Sequence, residues 1–233
     1  DRCKHVIIRC MNNNILVFND IQNSEEIRAY IKQADISLAA LGLTEHSFAH
    51  VTKCAEVAGK LLYDLGYDER KVELAKIAAY MHDIGNVINR VDHAQSGALM
   101  AFRILDNMGM PYEETAMIVN AIGNHDEAAA FPVNAIAAAV ILADKTDVRR
   151  SRVRNKETIL SDIHDRVNYA VKKSDLNLDK EKKTITLHLD IDHTISSVMD
   201  YFEIFMQRML LCRKAADFFG YSFKLNINGA DQG

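Results

Sequence analysis

A helical run that ends in an imidazole next to a carboxylate is the feature that most constrains this chain. Val72, Ala75, Ile77, Ala78, Ala79 and Met81 are apolar at helical spacing, and the run closes on His82 and Asp83, with Gly85 placed as the residue just past a helix C-cap. An aspartate there faces the negative end of a helix dipole, at a cost of roughly 0.3 to 1 kcal/mol, and apolar surroundings make an unpaired charge costlier. The turn therefore asks for a positive partner, a divalent cation, or else for solvent around a simple cap.

The rest of the sequence is compatible with such a buried turn. Its 233 residues are 48% hydrophobic and 26% charged with only two Pro and ten Gly, enough apolar material for a large, helix-rich core. A net charge of −4 argues against a nucleic-acid binder, and no apolar run approaches the roughly 18 residues that span a bilayer. Cys3, Cys10, Cys54 and Cys212 lack Cys-x-x-Cys spacing and read as reduced thiols. Val6 to Ile8 is too short for the apolar part of a signal peptide. A cytoplasmic protein with no membrane or nucleic-acid partner is the expectation.

Three segments follow from the patterning. Residues 1–22 form an N-terminal segment in which Val6 to Cys10 and Ile15 to Phe18 are candidate short strands. Residues 23–176 read as seven helices. The first starts at Asn23 with Glu26 as a capping box, and the second, Thr44 to Leu65, carries His46 and His50. The third delivers His82 and Asp83, and the fourth opens on His93, with Gly97 one turn later leaving room for a bulky neighbour or a ligand. The fifth, from Pro111 to Gly123, is followed by His125 and Asp126. The sixth is apolar all round from Ala135 to Ala143, hence central to the core, and closes on Asp144 and Lys145. The seventh, Glu157 to Lys172, carries a second doublet, His164 and Asp165, read as surface because no apolar run precedes it.

Residues 177–233 change character. Thr184 to Asp192 alternates as a half-buried strand, a long helix spans 194–219, and Tyr221, Phe223, Leu225 and Ile227 share one face of a second strand. Two strands are marginal alone, so this small α+β strand-helix-strand appendage is expected to find partner strands in the N-terminus or in the second subunit of a homodimer.

His50, His82 with Asp83, His93, His125 and Asp144 all stand at element ends. The segments that hold them, HSFAHV, MHDIGN, DHAQSGA, GNHD and LADKTDVRRSR, resemble in order the HD-domain superfamily of metal-dependent phosphohydrolases over about residues 44–154. The resemblance implies a mostly α HD-domain helical bundle in which His50, His82, Asp83 and Asp144 ligate a first divalent metal. His93 and His125 match the members that hold a second metal, with Asp83 bridging, and Asp126 stands as a ligand or an outer partner. His46, one turn before His50, is placed to orient that ligand or else lies partly exposed.

Imidazole and carboxylate donors suit Fe, Mn, Co, Ni, Zn or Mg, one ion or two. Such a site would hydrolyse a phosphoester or phosphoanhydride, a nucleotide first, with a metal-activated water. Asp83 and Lys145 are the residues assigned to the chemistry: Lys145 either reaches a phosphate oxygen or pairs with Asp144 or Asp147. Arg149, Arg150, Arg152 and Arg154 are either a phosphate-binding cluster or a salt-bridged face. No Gly-Tyr-Pro follows the doublet, unlike the branch that opens cyclic di-guanylate, and Asn86 stands where many members have Lys. The rival reading is a regulatory module that holds a metal or nucleotide without turnover.

Overall fold

The computed structural model of the chain describes residues 15–127, 130–155, 157, 159 and 161–232. Val6 to Cys10 lies outside them, and Ile15 to Phe18 is not a strand but an irregular lead into helix α1 (Phe18–Asn23). Asn23 completes that short helix. The cap of α2 (Glu25–Ala40) is Ser24, whose hydroxyl accepts from the Ile27 N–H, so the boundary falls one residue later than the Asn23 capping box would place it. Ile27, Ile31, Ala34 and Leu38 are the buried stripe of α2.

Helices α3 (Phe48–Asp64) and α4 (Glu69–Met81) start from Ser47 and Asp68, each side chain accepting a backbone N–H of the first turn. A 3-10 turn (Ile84–Val87) leads toward α5 (His93–Met108), then α6 (Tyr112–Gly123) and α7 (Ala135–Lys145), the last capped by Asn134. The all-apolar run of α7 is the centre of the core: α3, α4 and α6 pack around it, and Ile136 through Ala143 are at most 2% exposed. Its buried alanines, Ala137, Ala138, Ala139 and Ala143, let neighbouring helices come close. Val140, Ile141 and Leu142 each contribute about 1.5 to 3 kcal/mol by burial.

Gly85 is needed for close approach and not for a left-handed cap. It lies in the 3-10 turn, and a Cβ there would overlap the His93 carbonyl oxygen and stand 2.5 Å from the Gly97 nitrogen. A Cβ on Gly97 would in turn meet the Gly85 nitrogen at 3.2 Å and the His82 carbonyl oxygen at 3.3 Å. The space at Gly97 is thus filled by the backbone of the 82–85 turn, and this contact seats the start of α5 against Asp83.

Helix α8 (Ile163–Ala170) is shorter than the sequence suggests, because the chain passes directly into strand β1 (Val171–Asp179). Strand β2 (Thr184–Ile191), helix α9 (Val198–Phe218), β3 (Ser222–Ile227) and β4 (Ala230–Asp231) complete a sheet of order β1-β2-β3-β4. β2 and β3 are parallel, joined by α9, while β1 and β4 pair antiparallel at the two sides. The partner strands therefore come from the same chain. The strict alternation read from the sequence holds for β2, where Ile185, Leu187, Leu189 and Ile191 are all buried. The α+β unit rests against the helices: α9 packs on α7, and the Ser174 hydroxyl of β1 donates to the Thr146 carbonyl at 2.5 Å. One hydrophobic core holds both parts. Among the described residues no helix is long and apolar enough to cross a membrane.

Candidate metal centre

Five helix ends converge on one spot. His50 is the third residue of α3, His82 closes α4 with Asp83 next to it, and His93 opens α5. His125 lies two residues past α6, and Asp144 is the penultimate residue of α7. The four imidazoles are at most 2% exposed and Asp83 is 5% exposed.

Around Asp144 Oδ1 stand His50 Nε2 at 3.3 Å and His82 Nε2 at 3.6 Å. Around Asp83 Oδ2 stand His82 Nε2 at 3.2 Å and His50 Nε2 at 3.7 Å. The other oxygen of Asp83, Oδ1, faces His93 Nε2 at 3.4 Å and His125 Nε2 at 3.9 Å. Asp83 thus has one oxygen turned to each pair of imidazoles.

The hydrogen bonds behind the rings fix what the rings offer. Nδ1 of His50 lies 2.7 Å from Asp147 Oδ2, and Nδ1 of His82, His93 and His125 lie 2.6, 3.0 and 2.7 Å from the carbonyls of Ala79, Arg90 and Ile122. Those oxygens only accept, so each neutral ring carries its proton on Nδ1 and turns an Nε2 lone pair inward. The lone pairs of His93 and His125 meet at 3.1 Å, with Arg90 Nη1 3.2 Å from His93 Nε2, and His82 Nε2 is buried with no hydrogen-bond partner. Facing imidazole lone pairs, an orphaned buried nitrogen and the carboxylates of Asp83 and Asp144 make a donor set suited to a divalent cation.

The charges tell the same story. Burial works to lower the His82 pKa, yet Asp83 and Asp144 overcome it and raise it to about 10. Burial, aided by the charges of His82 and Lys145, pushes His125 down to about 3. The carboxylates demand positive charge, and only some of the rings can supply it as protons.

Three residues support the site in roles the sequence reading did not give them. Asp147 is 1% exposed and holds His50 in its tautomer. Although burial opposes ionisation, its bonds to His50 and the charge of Arg152 keep it well below the usual carboxylate range. Asn86 donates from Nδ2 to both the carbonyl and Oδ1 of Asp83, 2.9 Å each, so it serves the carboxylate where many family members have Lys. Cys54, one helical turn past His50, groups with His50, His82 and Asp144, with all four donor atoms within 4.8 Å of one another. Burial and the nearby Asp144 and Asp147 raise its pKa far above the ordinary value, so it stays a thiol, donating to the Ala143 carbonyl at 3.7 Å. The signal that could have found Asp147 and Cys54 was their distance from Asp144 and His50, three and four residues along.

Of the other expected site residues, Asp126 comes within 3.9 Å of His93 Nε2. His46 packs edge-on to His50 with ring centres 5.5 Å apart, its Nδ1 2.7 Å from the Thr44 carbonyl. Lys145 pairs with Asp144 at 2.7 Å and with Glu127 at 3.2 Å, not with Asp147. The arginines fan out. Arg149 bonds Asp147, and Arg150 donates to the Tyr169 carbonyl and lies over its ring, away from the cleft. Arg154 pairs with Asp35. Arg152 alone of them lines the cleft, but it is 4% exposed and committed to the carbonyls of Glu45 and Asp147.

A cleft of about 230 Å³ opens over the centre. Asp83, His93, His125, Asp144 and Lys145 form its floor. Its walls include the second doublet, His164 and Asp165, and two residues of α9, Phe205 and Arg208. The doublet is therefore not plain surface: His164 is exposed at the cleft rim, and Asp165 is buried.

The chain is 24% identical over 161 residues to the uncharacterized protein MJ1020 of Methanocaldococcus jannaschii, a stretch covering 60% of this chain and 62% of that one. It is 27% identical to a predicted HD superfamily hydrolase of known crystal structure from an uncultured Thermotogales bacterium. That match covers 53% of this chain and 67% of the other, with a TM-score of 0.43. The model of the HD domain matches residues 45–168, more than half the chain and a span that holds all six convergent His and Asp residues. This chain belongs to the HD-domain family.

Proposed function

We propose that the chain is a divalent-metal-dependent phosphohydrolase that cleaves a phosphoester or phosphoanhydride, most naturally of a small nucleotide. The observation that carries this reading is the set of four buried imidazoles, each locked by its Nδ1 and aimed by its Nε2 at Asp83 or Asp144. His50, His82, Asp83 and Asp144 would hold a first cation, and His93, His125 and the second oxygen of Asp83 another, with Asp126 beside it. Cations there supply Lewis acidity to a phosphoryl oxygen and make water a competent nucleophile at neutral pH.

The chain's own groups do the remaining work. Lys145, in the cleft floor, is placed to contact a phosphoryl oxygen as charge builds on it. Burial works against its charge, but Asp144 and Glu127 raise its pKa, so it stays an ammonium. Arg90, about one-third exposed, donates to Asn86 Oδ1 at 3.4 Å, lies 3.2 Å from His93 Nε2 and 4.0 Å from both Asp83 and Asp126, so its guanidinium borders the second site, where it would meet an anion. Asn86 and Asp147 keep Asp83 and His50 in register. The donor set suits Mn, Fe, Co, Ni or Zn.

The test is to count metals in the purified protein and then assay phosphate release from nucleoside mono-, di- and triphosphates with Mn, Fe, Co and Mg. Turnover that disappears with chelation and returns with a metal is expected. Retained metal with no release across the panel would point instead to a binding module.

A further inference from the structure

The family match ends at residue 168, yet the cleft is completed by a guanidinium from beyond it. Arg208 lies on α9, stacked over Phe205 with its guanidinium carbon 4.6 Å from the ring centre. Phe205 is 1% exposed, so it acts as a fixed platform, whereas the Arg208 side chain is 29% exposed and reaches the cleft. A single carboxylate, Glu127, serves two cations: Oε1 takes Arg208 Nε at 2.7 Å and Oε2 takes Lys145 Nζ at 3.2 Å. The Lys145 ammonium has a second counter-charge in Asp144, which the proposed function assigns to a metal. Two cations then share one carboxylate, Glu127, on the side of the cleft that α9 supplies, while Asp162 and Asp165 also line it.

We infer that Arg208, with Lys145, forms an anion subsite by which the C-terminal unit selects substrates carrying a second anionic group beside the phosphate that reacts. This rests on the hydrolase reading above and deepens it: a diphosphate would place one phosphoryl group at the metal centre and the next against Arg208. The alternating string Asp144, Lys145, Glu127, Arg208 runs without a gap from the centre to the cleft wall. A guanidinium held by stacking loses little freedom when it takes up a phosphate.

The experiment compares wild type with Arg208→Gln, both metal-loaded. AMP and the non-hydrolysable α,β-methylene ADP serve as calorimetric ligands, and AMP and ADP as substrates. The exchange leaves the buried face of α9, including Tyr201, Phe205 and Cys212, unaltered. The expected result is a wild-type preference for the diphosphate that falls roughly tenfold in the variant, as loss of one charge-assisted contact implies. The change should appear in KM and binding, with kcat and metal content kept. An equal preference in both proteins, with turnover intact, overturns the subsite and spares the hydrolase. A wild type that neither binds nor cleaves either nucleotide overturns the subsite, and the hydrolase reading falls with it only if the wider panel above also gives no phosphate release.

Discussion

Two clusters of charged side chains in this molecule behave in opposite ways. The arginines at 149, 150, 152 and 154 are neighbours in the sequence and scatter in space, to Asp147, Tyr169, the Glu45 carbonyl and Asp35. The imidazoles at 50, 82, 93 and 125 are far apart in the sequence and pack ring against ring in one cluster. The difference lies in what positions them. Each histidine stands at or near the end of a helix whose apolar face is pinned to α7 or its neighbours, so burying those faces carries the rings inward. The arginines occupy an irregular segment around a short 3-10 turn (Arg150–Arg152), where successive side chains leave in different directions and each takes the nearest acceptor.

The sharpest way to break this contrast is at Asp83, the one carboxylate that faces both pairs of imidazoles. Asp83→Ala should abolish phosphate release and empty the protein of metal by elemental analysis, and normal metal occupancy in the variant would refute the shared role. Arg152 tests the other cluster. Because it is buried and bonded to two carbonyls, Arg152→Ala should cost about 3 kcal/mol in denaturant-monitored stability. A stable variant with only a raised KM would show that it serves substrate instead. Asp147 joins the clusters, holding His50 on one side and Arg149 on the other. Asp147→Asn should weaken metal affinity roughly 10- to 100-fold in a competition titration. No change would mean that His50 needs no orienting partner.

The smallest effect concerns the surface end of the arginine cluster. Asp192 lies 3.8 Å from Arg150, and its carboxyl is held down to about 2 by the Thr194 hydroxyl and then by Lys172. A depressed carboxyl stabilises the fold above the ordinary value near 4 and loses that contribution as pH falls toward 2. Melting curves across that window should be flatter for Asp192→Asn than for wild type, and parallel slopes would rule the contribution out.

How much of this was legible beforehand follows the same physics. The helices, the central α7 and the His-Asp constellation were readable because apolar periodicity reports which face is buried, and helix ends then locate the polar residues. Strand β1 was not: Val171 to Asp179 buries only Val171 and Ser174, carries a bulge after Val171, and so lacks the alternation that marks β2. Asp147 was hidden among Thr146, Val148 and the arginines, where a carboxylate looks like a local ion-pair partner. Arg208 was hidden because nothing in a long amphipathic helix says which of its cations will overlook a cleft built by other elements.

The most direct measurement is anomalous scattering at the metal edge from crystals of the wild-type protein reconstituted with manganese. Density is expected between His50, His82, Asp83 and Asp144, with a second peak where His93 and His125 face each other. Ions found only at surface carboxylates, with the four Nε2 atoms unligated, would contradict the central claim.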